Sequence, residues 1–91
     1  MSMKDMYLEV TYRHGKVLAA YLYLPRRTQD RCDHSVEREA GIVVDFHKDG
    51  RPIGLELTDP ARVSAEIINR ILKDFHLDVV TREDLAPLLA A

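Results

Sequence analysis

The stretch from Gly41 to Leu57 reads GIVVDFHKDGRPIGLEL, and it decides the fold. Asp-Gly between alternating apolar residues is the strongest short-range signal for a β-hairpin. A two-residue loop at Asp49-Gly50 predicts three apolar cross-strand pairs: Phe46 with Ile53, Val44 with Leu55, and Ile42 with Leu57. A slip by one residue would set Phe46 against Gly54 and break this pattern, so the register is favoured.

A second hairpin is predicted upstream, from residues 6–12 (MYLEVTY) and 17–24 (VLAAYLYL) around His14-Gly15. A two-residue loop predicts that Tyr12 pairs with Val17, Val10 with Ala19, and Leu8 with Tyr21. The other face of the second strand then carries Leu18, Ala20 and Leu22. A strand that is apolar on both sides indicates a central position or a second covered face.

Two helices are predicted after Leu57, where the apolar period changes to that of a helix. Asp59 as N-cap and Pro60 at the first position start a helix over residues 60–75. Thr81 and Asp84 resemble a capping box that opens a short helix over about residues 82–90. The polar residues between the hairpins include a third strand at about 33–38.

These elements predict an α+β fold in which residues 1–91 form a single domain. Its centre is an antiparallel, four- to five-stranded β-meander over strands at about 6–12, 17–24, 33–38, 41–47 and 51–57. One helix packs on a face of the sheet, and a short C-terminal helix follows.

Composition limits the function classes. The chain has 91 residues, 46% hydrophobic and 31% charged, with a net charge of −2, which disfavours a multidomain enzyme and gives no basic excess for nucleic acid. Cys32 is the single cysteine, so no internal disulfide forms, and a reducing compartment is expected. No apolar run approaches the roughly 20 residues that span a bilayer, and the N-terminus lacks the apolar region of a secretory signal. We expect a cytoplasmic protein with no membrane or nucleic-acid partner.

The chain resembles the small prokaryotic domain family DUF2283 over about residues 7–75. The matching motifs are Leu22-Tyr23-Leu24, Ser35, Glu37, Gly41-Ile42, Val44-Asp45, Asp49-Gly50 and Gly54-Leu55-Glu56-Leu57. His47 departs from the pattern, which usually has Asp there, and the tail from Asp78 is not diagnostic. The resemblance implies a small sheet with a helix against it. The family carries no established function, and the resemblance suggests a role beside small toxin-like or regulatory genes.

Asp45, His47 and Glu56 are the candidate chemical residues, since alternation places them on the sheet face away from Val44. Two carboxylates and an imidazole could hold a divalent metal or share acid–base work, and the alternative is an ordinary solvated sheet face. Gly54 opposite Asp45 either relieves crowding or marks a bulge. Cys32-Asp33-His34 lacks the second ligand pair of a zinc site, and no cofactor is expected.

The tyrosines of the first hairpin favour an interface, because tyrosine suits surfaces that are partly buried and partly wet. The predicted interface residues are Tyr7, Leu18, Ala20 and Leu22. The leading hypothesis is a non-enzymatic interaction or regulatory module, as a homodimer or an antitoxin-like partner of a small protein. The alternative is a small metal-dependent or acid–base enzyme, or a ligand-binding protein, using Asp45, His47 and Glu56. Nucleic-acid binding through Arg26, Arg27 and Arg31 is disfavoured by net charge.

Overall fold

A computed structural model describes residues 5–89, the side chain of Leu89 excepted. The strands are β1 (Tyr7–Arg13), β2 (Lys16–Tyr23), β3 (His34–Glu39), β4 (Ile42–Phe46) and β5 (Pro52–Leu57). A 3-10 turn (Pro60–Arg62) precedes helix α1 (Ala65–Asp74), and helix α2 (Ala86–Leu89) follows. The α+β class predicted from the sequence is therefore confirmed.

The five strands form one antiparallel sheet in the order β1-β2-β5-β4-β3. The last three strands make a meander, but β2 lies beside β5 instead of β3, so the sheet departs from a continuous meander. The chain between β2 and β3 crosses the end of the sheet to reach the far edge. The β1–β2 hairpin is thus joined to the other strands only through β2 and β5.

The first hairpin has the predicted two-residue loop but a different register beyond it. His14 and Gly15 both have positive φ, 52° and 77°, which is the requirement of a type I′ turn. The pairing then shifts between Thr11 and Tyr12, so that Leu18 becomes the extra residue of a bulge.

The shift overturns two predicted pairs of this hairpin. Leu8 lies opposite Leu22 and Val10 opposite Ala20, instead of Tyr21 and Ala19. The physical reason is burial: the bulge brings Leu22 and Ala20 onto the helix-covered face, where they join the core. The second strand lies inside the sheet, between β1 and β5, which agrees with the central position predicted for it.

The second hairpin keeps two of its three predicted pairs. Ile42 lies opposite Leu57 and Val44 opposite Leu55, as predicted, but Phe46 lies opposite Pro52, and the pairing with Ile53 is wrong. The loop has three residues instead of two, since the His47 N–H donates to the Arg51 carbonyl at 2.9 Å. Gly50, with φ 95°, supplies the positive φ that such a loop needs. A bulge at Ile53 then returns the strands to the predicted pairing from Asp45 and Gly54 onward.

The predicted helix 60–75 begins later than expected. Asp59 makes no side-chain cap, and Val63 has extended backbone between the 3-10 turn and α1. Ser64 is the true N-cap, because its side chain accepts a hydrogen bond from the Ile67 N–H at 3.2 Å. The apolar stripe on α1 buries Ile68, Ile71 and Leu72 against the sheet.

The C-terminal segment packs on its own domain. The Asn69 side chain bonds both backbone groups of Val80, at 2.8 and 2.9 Å, and Val80, Leu85 and Leu88 are buried in the core. The capping box is present as reciprocal bonds between Thr81 and Asp84. The helix that follows is shorter than the predicted 82–90, since residues 82–85 form turns, and residue 90 lies outside the described residues.

No helix among residues 5–89 has the length and apolar character needed to cross a membrane.

Candidate functional site: the open face of the sheet

Helix α1 covers one face of the sheet, and the other, here called the outer face, has no covering element among the described residues. Strand alternation and the observed register place two rows of side chains on it. The first row runs Tyr7, Tyr23, Gly54, Asp45 and Ser35, and the second runs Glu9, Tyr21, Glu56, Val43 and Glu37. The outer face therefore combines three tyrosines with four carboxyl groups.

Asp45 is the buried centre of this face, with 6% of its surface exposed. The Tyr21 hydroxyl donates to one carboxylate oxygen at 2.8 Å, and the Ser35 hydroxyl donates to the other at 2.6 Å. These bonds join β2, β4 and β3, so one carboxylate links three strands. A carboxylate with so little exposure needs such donors, because burying it unsatisfied would be costly.

Gly54 makes the Tyr21–Asp45 bond possible. It lies on β5, between β2 and β4, and the phenol ring of Tyr21 crosses the sheet directly above it. A Cβ atom at this position would come within 3.0 Å of the hydroxyl and ring atoms of Tyr21. Of the two readings of Gly54 from the sequence, relief of crowding is the one that fits, and the crowding comes from Tyr21.

Glu56 lies beside Asp45, and the two form an interacting carboxyl pair. A side-chain hydrogen bond with Asp45, together with partial burial, raises the pKa of Glu56 above its ordinary value. Burial and the bond to Asp45 also raise the pKa of Tyr21, which keeps that phenol protonated. Tyr21 can therefore remain the donor to Asp45 throughout the neutral range.

The tyrosines extend the site toward the β1 edge. Tyr7 and Tyr23 are stacked with ring centroids 4.2 Å apart, and Tyr21 meets Tyr23 edge to face at 4.6 Å. The Tyr23 hydroxyl donates to Glu9 at 3.1 Å, and this bond raises the pKa of Tyr23. Tyr7 remains 59% exposed. Tyr12 belongs to the opposite face of β1 and takes no part.

The structure brings Asp45 and Glu56 together but does not bring His47 to them. The three-residue loop and the bulge carry His47 off the outer face toward Asp30 and Asp49, at 3.7 and 3.2 Å. Within residues 5–89 no group of three or more His, Cys, Asp or Glu side chains is placed to hold a metal ion. The carboxyl pair is what remains of the predicted site.

A separate ionic cluster, which the sequence reading missed, fixes the loop before β3. Asp30 is buried, with 6% exposure, and accepts two bonds from the Arg51 guanidinium at 2.9 and 3.0 Å. These bonds and the Arg27 N–H hold the pKa of Asp30 well below its usual range. Hydrogen bonds from Arg51 likewise lower the pKa of Asp49 to about 2. Neither Asp30 nor Arg51 lies in an apolar pattern that would have revealed the pairing.

The basic loop residues are largely engaged with their own chain. Arg26 donates to the Ile53 and Asp30 carbonyls at 3.3 and 3.4 Å, and its guanidinium lies 5.6 Å from the centroid of Tyr23. Arg31 donates to the Asp30 carbonyl at 3.5 Å. Cys32 is exposed, with its thiol 3.5 Å from the Ser35 hydroxyl, and His34 pairs with Asp33 at 2.9 Å, not with the thiol.

The predicted interface residues lie in two different environments. Tyr7 and Leu18 are exposed, at 59% and 51%, whereas Ala20 and Leu22 are in the core, at 7% and 0%. Ala20 and Leu22 therefore cannot belong to an exposed surface, and the bulge at Leu18 is the reason. Tyr7 remains on the outer face.

The comparisons with known proteins agree with the resemblance noted in the sequence. A family model described as "Protein of unknown function (DUF2283)" matches residues 19–59. This segment contains most of β2 and all of β3, β4 and β5, and with them Tyr21, Ser35, Asp45, Gly54 and Glu56; β1 and α1 lie outside it. Searches of curated proteins and of solved structures returned no match. The match supports the resemblance to DUF2283 over residues 19–59.

Proposed function

We propose that the protein is a non-enzymatic interaction module that binds a protein partner through its outer face. The observation that carries this proposal is the exposed ring of Tyr7, stacked on the half-buried ring of Tyr23 on an uncovered sheet face. Tyrosine is enriched in protein interfaces because it supplies a large rigid contact area with a polar tip. The underlying bonds from Tyr21 and Ser35 to Asp45 hold the surface in one shape before binding, which lowers the entropic cost of association.

The partner is either a second copy of this chain or a different small protein with a regulatory relation to it. Both fit a single-layer sheet of this size, in which one face has no covering element among residues 5–89. Sedimentation of the purified protein across a concentration range separates the two cases. A concentration-dependent dimer that Tyr7→Ser dissociates would identify self-association.

A native pull-down tests the proposal itself. The tagged protein is expressed in its own host, and the eluate is compared for wild type, Tyr7→Ser and Tyr12→Ser. Tyr12 is a matched control, since it is similarly exposed, at 55%, and lies on the same strand, but on the opposite face. We expect a stoichiometric partner, or a second copy, to be lost with Tyr7→Ser and retained with Tyr12→Ser. Equal capture by both variants, or no associated protein at all, would contradict the proposal.

A second candidate function is acid–base chemistry at the carboxyl pair. The observation in its favour is that Asp45 accepts two hydroxyl donors while Glu56 has a raised pKa; unequal carboxyls of this kind can divide the roles of base and acid. His47 would have no part in it. Asp45→Asn and Glu56→Gln would each abolish such an activity, and an activity that survives both would exclude this candidate.

We place the protein in the cytoplasm as part of the same proposal. Support comes from Cys32, an exposed thiol without a disulfide, which is compatible with a reducing compartment. Alkylation of intact cells before lysis should trap Cys32 as a free thiol. Recovery of Cys32 mainly in a mixed disulfide would argue for another location.

A further inference from the structure

The outer face contains a shallow concavity of about 460 Å³ in which charged and aromatic groups meet. It is lined by Glu9, Tyr21, Tyr23, Arg26, Asp45 and Glu56. Three of these residues carry carboxyl groups and one carries a guanidinium. The concavity opens beside the Tyr7–Tyr23 stack, so a segment lying on the exposed Tyr7 ring would reach it directly.

The concavity already holds a guanidinium from the protein itself. Arg26 reaches in from the loop after β2 and places its guanidinium 5.6 Å from the centroid of Tyr23, within the range of a cation–π contact. Its hydrogen bonds go to the carbonyls of Ile53 and Asp30, not to a carboxylate of the concavity. The Tyr23 ring therefore accepts a cation, whereas the carboxyl groups of the concavity make no hydrogen bond with Arg26.

The carboxyl groups of the concavity form no ion pair among residues 5–89, although the Arg26 guanidinium lines the same concavity. None of the ion pairs within 4.0 Å in this part of the chain includes Glu9, Asp45 or Glu56. Asp45 and Glu56 instead share a side-chain hydrogen bond, and the three carboxyl groups of the concavity outnumber its one guanidinium. The charge balance of the concavity thus calls for another positive group.

We propose that the outer face docks a segment of a partner protein that bears arginine or lysine, whose cationic side chain enters this concavity beside Arg26. This inference deepens the proposed interaction function by naming the chemistry of its partner. Charge complementarity with the three carboxyls attracts the side chain, and the tyrosine rings supply flat walls for its aliphatic stem or guanidinium plane. Arg26 then acts as an internal competitor, because its charge opposes the incoming one.

The test uses three capped tripeptides, acetyl-Gly-X-Gly-amide, in which X is arginine, lysine or citrulline, titrated into isotopically labelled protein and followed by NMR. Citrulline has nearly the shape of arginine without its charge. We expect saturable shifts at millimolar peptide for arginine and lysine, centred on Tyr21, Tyr23 and Glu56, and none for citrulline. Shifts of equal size with citrulline, or none with any peptide, would overturn the proposal.

Three variants locate the interaction. Glu9→Gln and Glu56→Gln should each weaken binding by about two- to fivefold, the range of exposed ion pairs, whereas Arg26→Gln should strengthen it by a similar factor. Glu37→Gln is the matched control, since Glu37 is a carboxylate of the same face that lies at the β3 edge, outside the concavity. Equal effects of Glu9→Gln and Glu37→Gln would show general charge attraction and refute the site.

The two proposals fail separately. If the pull-down yields a partner that depends on Tyr7 while the arginine and lysine peptides do not bind, the interaction function stands and the cationic partner is wrong. If the peptides bind at the concavity but no protein is captured, the chemistry of the site is right and the interaction function is wrong.

Discussion

Replacing Gly54 with alanine should destabilise the protein, although alanine normally favours regular structure over glycine. The new Cβ would overlap the ring and hydroxyl of Tyr21. Because this ring ends a flexible side chain, it can swing away, and the cost is then the lost Tyr21–Asp45 hydrogen bond and not a lasting clash. A bond to a charged group contributes about 1.5–3 kcal/mol. Alanine returns about 0.5–1 kcal/mol of backbone entropy, so the net loss should be about 0.5–2.5 kcal/mol.

Urea denaturation followed by far-ultraviolet circular dichroism measures this loss, and a double-mutant cycle assigns it. In a Tyr21→Ala background the space above residue 54 is vacant, so Gly54→Ala should there be neutral or stabilising by up to about 1 kcal/mol. The sign of the substitution therefore depends on Tyr21. The same destabilisation in both backgrounds would refute the reasoning, as would full stability of Gly54→Ala in the wild-type background.

Three further predictions concern stability. Glu56→Gln should stabilise the fold at neutral pH by up to about 1 kcal/mol, the scale of a cross-strand pair. The reason is that a carboxyl group with a raised pKa loses its contribution to folding stability as pH rises through that pKa. Urea midpoints measured between pH 4 and 8 should therefore converge for the two proteins toward the acid end. Asp30→Asn should lower stability at neutral pH and remove part of the stability loss caused by acid. Because Arg51 lowers the pKa of Asp30, this carboxylate stabilises the fold at neutral pH, and its contribution is lost as pH falls below about 4. An unchanged dependence of stability on pH at the acid end would contradict this. Leu22→Ala should cost about 2–5 kcal/mol as a core truncation, while Leu18→Ala should stay within about 0.5 kcal/mol; equal losses in thermal unfolding would mean that the bulge at Leu18 is misplaced.

The sequence predicts the strands and the fold class because alternation and turn chemistry are local signals. Phe46 and Ile53 show where this reasoning ends. Both are apolar, so a two-residue loop that pairs them satisfies the pattern, yet Gly50 also permits a three-residue loop, and a bulge absorbs the difference. The predicted pairs of Ile42 with Leu57 and Val44 with Leu55 were right because the longer loop and the bulge shift the pairing by one residue in opposite directions.

In the first hairpin nothing cancels the bulge at Leu18, so the predicted faces of Ala20 and Leu22 were exchanged. Leu18, Ala19 and Ala20 are all apolar, and three such residues in a row do not reveal which of them a strand will leave out of its ladder. Burial against α1 decides this, and it depends on a helix about fifty residues away in the sequence.

The candidate site was predicted only in part. Asp45 and Glu56 follow from alternation on neighbouring strands, so their proximity could be expected. Tyr21 could not be assigned to Asp45, because that contact needs β2 beside β5, a pairing between the two hairpins that neither hairpin encodes by itself. The one clue in the sequence was Gly54, which has no side chain and lies between the positions of Tyr21 and Asp45.

The seam between β2 and β5 also bears on how the chain folds. It consists of four residue pairs, Ala20 to Tyr23 against Gly54 to Leu57, and it joins one unit of local contacts, the first hairpin, to another, the three-stranded meander. Local units form quickly, whereas a pairing between distant segments must first overcome the entropy of closing the intervening chain. Docking of the hairpin onto the meander is therefore expected to limit the folding rate. The bond from Tyr21 across β5 to Asp45 spans this seam, so it can form only once the two units have met.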